Sequence, residues 1–258
     1  MKVADITAAV EEFAPLGIQE QWDNSGLCIG SPEDPVHGVM VGFDCTPQLV
    51  DEAAARGCDM IITHHPLIFK GLRQINGSEP TGEAIMKAIR AGIAVYAAHT
   101  TADKVIEGVS GAMARRLGLK DIRILEDEGG TGLGAYGTLE KPLTGREAID
   151  LIKERFHLRF VRTSAPIEGP ITTVAVLGGS GGSEIPAARA AGAQLYVTAD
   201  ISYHNFFTPE GFMVADIGHF ESEVEISDIL FSFLKKKFPN FAVHLGSSLR
   251  EGNPVHWF

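Results

Sequence analysis

Strand-like and helix-like segments alternate along most of this chain, and that alternation limits its fold more than any other feature. "VHGVMVGFD" (36–44) reads as a strand rich in β-branched residues. "TPQLVDEAAARG" (46–57) reads as a helix, with Thr46 at the N-cap, Pro47 in the first turn and Gly57 at the stop. "DMIITHH", "TGEAIMKAIRAG", "IAVYAAHT" and "IEGVSGAMARRLGL" continue the rhythm. Consecutive parallel strands need crossover helices, so the economical fold is α/β, with largely parallel or mixed sheets flanked by helices.

Before this run, Val3, Ile6, Ala9, Val10 and Phe13 recur at helical spacing, and "WDNSGLCIG" (22–30) reads as a turn-rich loop. Charge and glycine interrupt the pattern at "LEDEGGTGLG" (125–134), which places a lobe boundary there. The expected lobes are 1–127 and 128–258, packed as one compact unit. In the second, "AYGTLE", "LRFVRT", "TTVAVLGG" and "QLYVTAD" read as strands, "TGREAIDLIKERF" and "EIPAARAAG" as helices. It closes with "GFMVADIGH", a long helix over 221–237 and the strand "FAVHLG".

Composition removes several function classes. No apolar run approaches the roughly 20 residues of a membrane span, and the acidic residues of the first helix are unlike a signal peptide. Cys28, Cys45 and Cys58 form no CxxC pair, which argues against a disulfide framework or a thiolate metal site and fits a cytoplasmic protein. Against 33 Asp and Glu there are only 22 Lys and Arg, a net charge of -11 that disfavours a broad nucleic-acid-binding face. No GxSxG elbow is present either.

In α/β sheets, ligands bind beyond the carboxyl ends of the strands. Four segments put metal-ligating residue types there: "MIITHHP" with His64 and His65, "VYAAHTTAD" with His99 and Asp103, "LYVTADISYH" with Asp200 and His204, and "MVADIGHFESE" with Asp216, His219 and Glu223. His219 and Glu223, four apart at a helix start, project from one face. Adjacent residues of an extended chain point to opposite sides, so His64 and His65 can share one ion only if the strand has turned, and otherwise serve two neighbouring ions. Asp103 or Glu223 could bridge two ions roughly 3.5–4 Å apart, as in two-metal hydrolytic sites. Imidazole and carboxylate without thiolate suit Zn, Fe, Mn, Co or Ni. "VLGGSGGSEI" (176–185) is either a backbone cradle for an anion or a tight turn needing positive φ.

"WDNSGLCIG", "ITHHPLIF", "AAHTTAD", "VLGGSGGS", "ADISYH" and "DIGHFESE", in that order, resemble the GTP cyclohydrolase I type 2 homologs, also called NIF-three-like dinuclear-metal proteins, in their short form without an inserted domain. The resemblance implies two α/β lobes with a dinuclear centre in the cleft between them, and a homohexamer. Its ligands would be His64, His65, Asp103, His219 and Glu223, holding two divalent ions, with His99, Asp200 and His204 near the centre, either supporting the ligands or on the substrate side. It further implies hydrolysis of a small molecule such as a nucleotide, with His99 or His204 moving protons. The other reading is a protein that stores, delivers or inserts metal without turnover. The chain departs from the family at Thr101, Ala102, Ala199 and Ser202, where Asn, Leu, Gly and Lys are usual.

Overall fold

The computed structural model describes residues 1–247 and 252–256. The chain divides into two compact units, Met1–Ala102 with Ile226–Phe258, and Asp103–Glu225. In the first, α1 (Val3–Phe13) buries Val3, Ile6, Ala9 and Val10, the stripe its spacing anticipates. Then come β1 (Gly26–Ile29), β2 (Gly38–Gly42), α2 (Pro47–Ala55), β3 (Met60–Thr63), α3 (Pro80–Ala91), β4 (Ala94–Ala97) and the single turn α4 (Thr100–Asp103). Thr46 Oγ1 accepts from Leu49 N at 3.2 Å and satisfies one open amide of α2. Every residue of β2, β3 and β4 is buried, which is why their sequences read as unbroken apolar runs rather than alternating ones.

The second unit runs α5 (Val109–Arg116), β5 (Lys120–Ile124), β6 (Ala135–Leu143), α6 (Gly145–Phe156), β7 (Arg162–Thr163), β8 (Ile171–Ser180), α7 (Ile185–Ala190), β9 (Leu195–Ala199), β10 (Met213–Asp216) and α8 (His219–Glu223). Its six strands lie in the order β5-β6-β8-β9-β10-β7, with β8, β9 and β10 parallel and the outer pairings antiparallel. Tyr196, Val214, Ala175 and Leu177 build its core.

The chain then returns to the first unit through α9 (Glu225–Lys237) and β11 (Ala242–Leu245). β11 pairs in parallel with β2 and completes a five-stranded sheet, β1-β4-β3-β2-β11, in which only β1 is antiparallel. Both sheets are therefore mixed and helix-flanked, as the α/β reading anticipates.

The division differs from the expected boundary at 127/128. Residues 125–134 are the loop of the β5–β6 hairpin, closed by Leu125 N to Gly134 O at 3.1 Å and Glu126 N to Leu133 O at 3.0 Å. Glycine and charge mark a tight hairpin there, not a linker. The expected loop at 22–30 contains β1, and the expected helix over 221–237 is two helices that meet at Val224.

Candidate metal centre

Phe43 and Asp44 follow β2, His64 and His65 follow β3, and His99 follows β4, so three neighbouring parallel strands deliver them to one sheet edge at their carboxyl ends. The chain has turned by the time it reaches the histidine pair. The amides of His64 and His65 both donate to Phe43 O at 3.2 Å, and Thr63 Oγ1 donates to His65 O at 2.8 Å. The two rings consequently lie with centroids 4.9 Å apart instead of on opposite faces. Phe43 stacks on His64 and leans on His65, limiting both rotamers.

His64, His65 and His99 each offer a ring nitrogen within 4.8 Å of the others. In the second unit, His219 Nε2 lies 3.0 Å from Glu223 Oε2, and Asp103 and Glu223 bring carboxylate oxygens within 4.8 Å of each other. Histidine and carboxylate side chains of the chain thus fall into overlapping clusters able to hold one or two metal ions. His204, beside Tyr203 and Phe207, belongs to none of them among the described residues.

Whether such residues suit a cation is a question of donor chemistry. His64 Nδ1 donates to Ala98 O at 2.9 Å, His65 Nδ1 to Asp44 Oδ1 at 2.8 Å, His99 Nδ1 to Asp23 Oδ1 at 2.7 Å and His219 Nδ1 to Asp200 Oδ2 at 2.7 Å. An acceptor at Nδ1 keeps the proton on that nitrogen and makes Nε2 the lone-pair side, the arrangement that orients metal-binding imidazoles. Asp103 and Glu223 are 9% and 4% exposed; two carboxylates so close and so dry repel each other, and a divalent cation relieves that repulsion. The residues present fit a metal centre.

The glycine-rich turn serves this geometry. A Cβ on Gly178 would strike Val109 and press on Glu223 Cγ, and one on Gly179 would overlap Glu223 Oε1. Gly179 also takes φ +65°, and its amide donates to Ser222 Oγ at 3.0 Å. The segment is a close-packed strand end that makes room for Glu223, the tight turn rather than the anion cradle.

Two residues of the site are absent from the sequence reading. Asp44 orients His65 and Asp23 orients His99. Burial works against charge on Asp23, but hydrogen bonds from His99, Ser25 and Thr100 outweigh it and hold the carboxyl well below the usual carboxylate range. The available signal was an aspartate at the end of β2, beside the strand that ends in the histidine pair, and one in "WDNSG". The cysteines take no part: burial pushes the Cys45 thiol up to about 12 and Cys58 to about 11, so neither is a ready thiolate.

Fold and site together define an α/β protein with a histidine–carboxylate metal centre. The chain belongs to the Duf34/NIF3 (NGG1p interacting factor 3) family, whose model matches residues 1–254. It is 36% identical over 229 residues to the GTP cyclohydrolase 1 type 2 homolog of Clostridium acetobutylicum, covering 86% of this chain and 85% of that one. With the Streptococcus pneumoniae homolog it shares 30% identity over 99% of both chains. Among solved structures, the Staphylococcus aureus hypothetical protein SA1388 superposes with a TM-score of 0.93 at 27% identity, over 100% of this chain and 99% of that one. Reduced HcgD from Methanocaldococcus jannaschii gives 0.81 at 26% identity, over 96% and 98%.

Proposed function

We propose that His64, His65, Asp103, His219 and Glu223 together hold two divalent ions of the Zn, Fe, Mn, Co or Ni class, and that the protein is a hydrolase of a small molecule. The observation that carries this reading is the Nδ1 anchoring: every imidazole of the ligand set is oriented by an acceptor of its own. Two ions held there would supply a water acidified toward neutrality.

The chain's own groups complete the chemistry. His99 donates its Nδ1 proton to Asp23, which fixes the ring and leaves Nε2 as the lone-pair side, so His99 is suited to accept and return a proton beside the ligands. His204, exposed on the loop after β9, is assigned to the substrate side. The names of the relatives favour a nucleotide substrate, and we take the protein to be a cytoplasmic homohexamer, as the motif resemblance implies.

Elemental analysis of the purified protein should find about two metal ions per chain, reduced in His64→Ala and Glu223→Ala. GTP turnover with added Mn, Fe or Zn should vanish in both variants. Metal content unchanged by either substitution would remove the ligand assignment, and bound metal without turnover of any nucleotide would leave a metal carrier in place of a hydrolase. Light scattering should give six copies per particle.

A further inference from the structure

Trp22 and Phe69 are left 60% and 42% exposed, and both rings stand against His99. Centroid separations are 6.0 Å for Trp22–His99, 5.8 Å for Phe69–His99 and 6.0 Å for Trp22–Phe69, at interplanar angles of 73°, 85° and 64°. The three rings meet edge to face and form an aromatic corner whose outer walls face solvent.

Single apolar side chains on a surface need no explanation; these two are tied down. Trp22 precedes Asp23, whose buried carboxylate accepts from His99, Ser25 and Thr100. The next residue, Asn24, donates through Nδ2 to Ile68 O at 2.6 Å, so the loop carrying Trp22 is joined to the residue before Phe69. The corner is thus held ready before anything binds, which lowers the ordering cost of a ligand.

We infer that Trp22 and Phe69 seat a planar heteroaromatic ring of the substrate, such as a nucleobase, against His99. An indole and a phenyl offer stacking faces. The neighbouring imidazole offers a hydrogen-bonding edge, which a ring heteroatom can use and an aliphatic or lipid chain cannot. The inference rests on the hydrolase reading for the ring's being part of a substrate, but not for its binding.

Isothermal titration calorimetry of the metal-loaded protein with GTP, ATP and inorganic triphosphate tests the seat. Both nucleotides should bind at least roughly tenfold more tightly than triphosphate. Trp22→Ala should lose most of that margin with unchanged metal content and unchanged triphosphate affinity, Phe69→Ala should lose part of it, and Trp22→Phe should keep most of it. Failure of both nucleotides to bind, equal affinity for nucleotides and triphosphate, or intact nucleotide binding in Trp22→Ala would overturn the inference. Intact binding with a changed particle mass would also overturn it and assign these rings to contacts between copies. A nucleotide held through Trp22 but never turned over would sink the hydrolase reading and leave the seat standing.

Discussion

Asp23 is a buried acceptor in the first unit with imidazole, hydroxyl and amide donors around it, and its behaviour with pH is open to direct test. Because its folded pKa lies below the ordinary value of 3.8, the unfolded chain takes up the proton first on acidification. The stabilisation it provides is complete above that ordinary value and is lost as pH falls from there toward the folded pKa. Urea denaturation between neutral pH and the acid limit of folding should show this loss, and Asp23→Asn should flatten the corresponding part of the slope. The same variant should be less stable at neutral pH by about 1–3 kcal/mol, since an amide cannot accept all the bonds the carboxylate accepts. An unchanged acid slope in Asp23→Asn would place the pH dependence elsewhere. Asp23 and Asp44 escaped the sequence reading for one reason: nothing in a lone aspartate says which histidine it will face once β2, β3 and β4 lie side by side.

At the scale of elements, the end of β8 is fitted closely around Glu223. Gly179→Ala combines a left-handed φ with overlap at Glu223 Oε1, so it should lower metal content as well as stability. Gly192→Ala is the control: φ is +78° but nothing stands within 4 Å of the added Cβ, so only the conformational cost of about 1–2 kcal/mol should appear. Equal metal content in the two variants, measured by elemental analysis, would show that Gly179 does not make room for a ligand. The helices and buried strands were readable because caps and apolar runs are local: Thr46 with Pro47, or Thr144 with Glu147, announces its helix in a few residues. The short edge strands β1 and β5 were not, since β1 is a strand only by virtue of its pairing with β4, and β5 by its pairing with β6.

For the whole molecule, the return of the C-terminal segment to the first unit matters most. β11 pairs with β2, Gly246 N donates to Val41 O at 2.8 Å, Ser247 donates to Glu52, Lys237 pairs with Glu12, and Phe233 packs 5.4 Å from Phe13. Removing residues 226–258 should therefore unfold the first unit, with 103–225 remaining structured. Hydrogen exchange on the truncated chain would show it, and protected amides in β2 and β3 would contradict it. No helix among the described residues is long and apolar enough to cross a membrane. By itself the sequence determined the α/β class, the order of most elements and the strand ends at which histidine and carboxylate side chains collect, because periodicity, caps and side-chain type are written within short windows. Only the tertiary structure decided where the units divide, which aspartates orient His65 and His99, that the chain turns at "THHP" to bring both imidazoles to one side, and that the glycines after Leu177 make room for Glu223. Each of these depends on groups far apart in the chain meeting at a strand end, and no local pattern encodes that meeting.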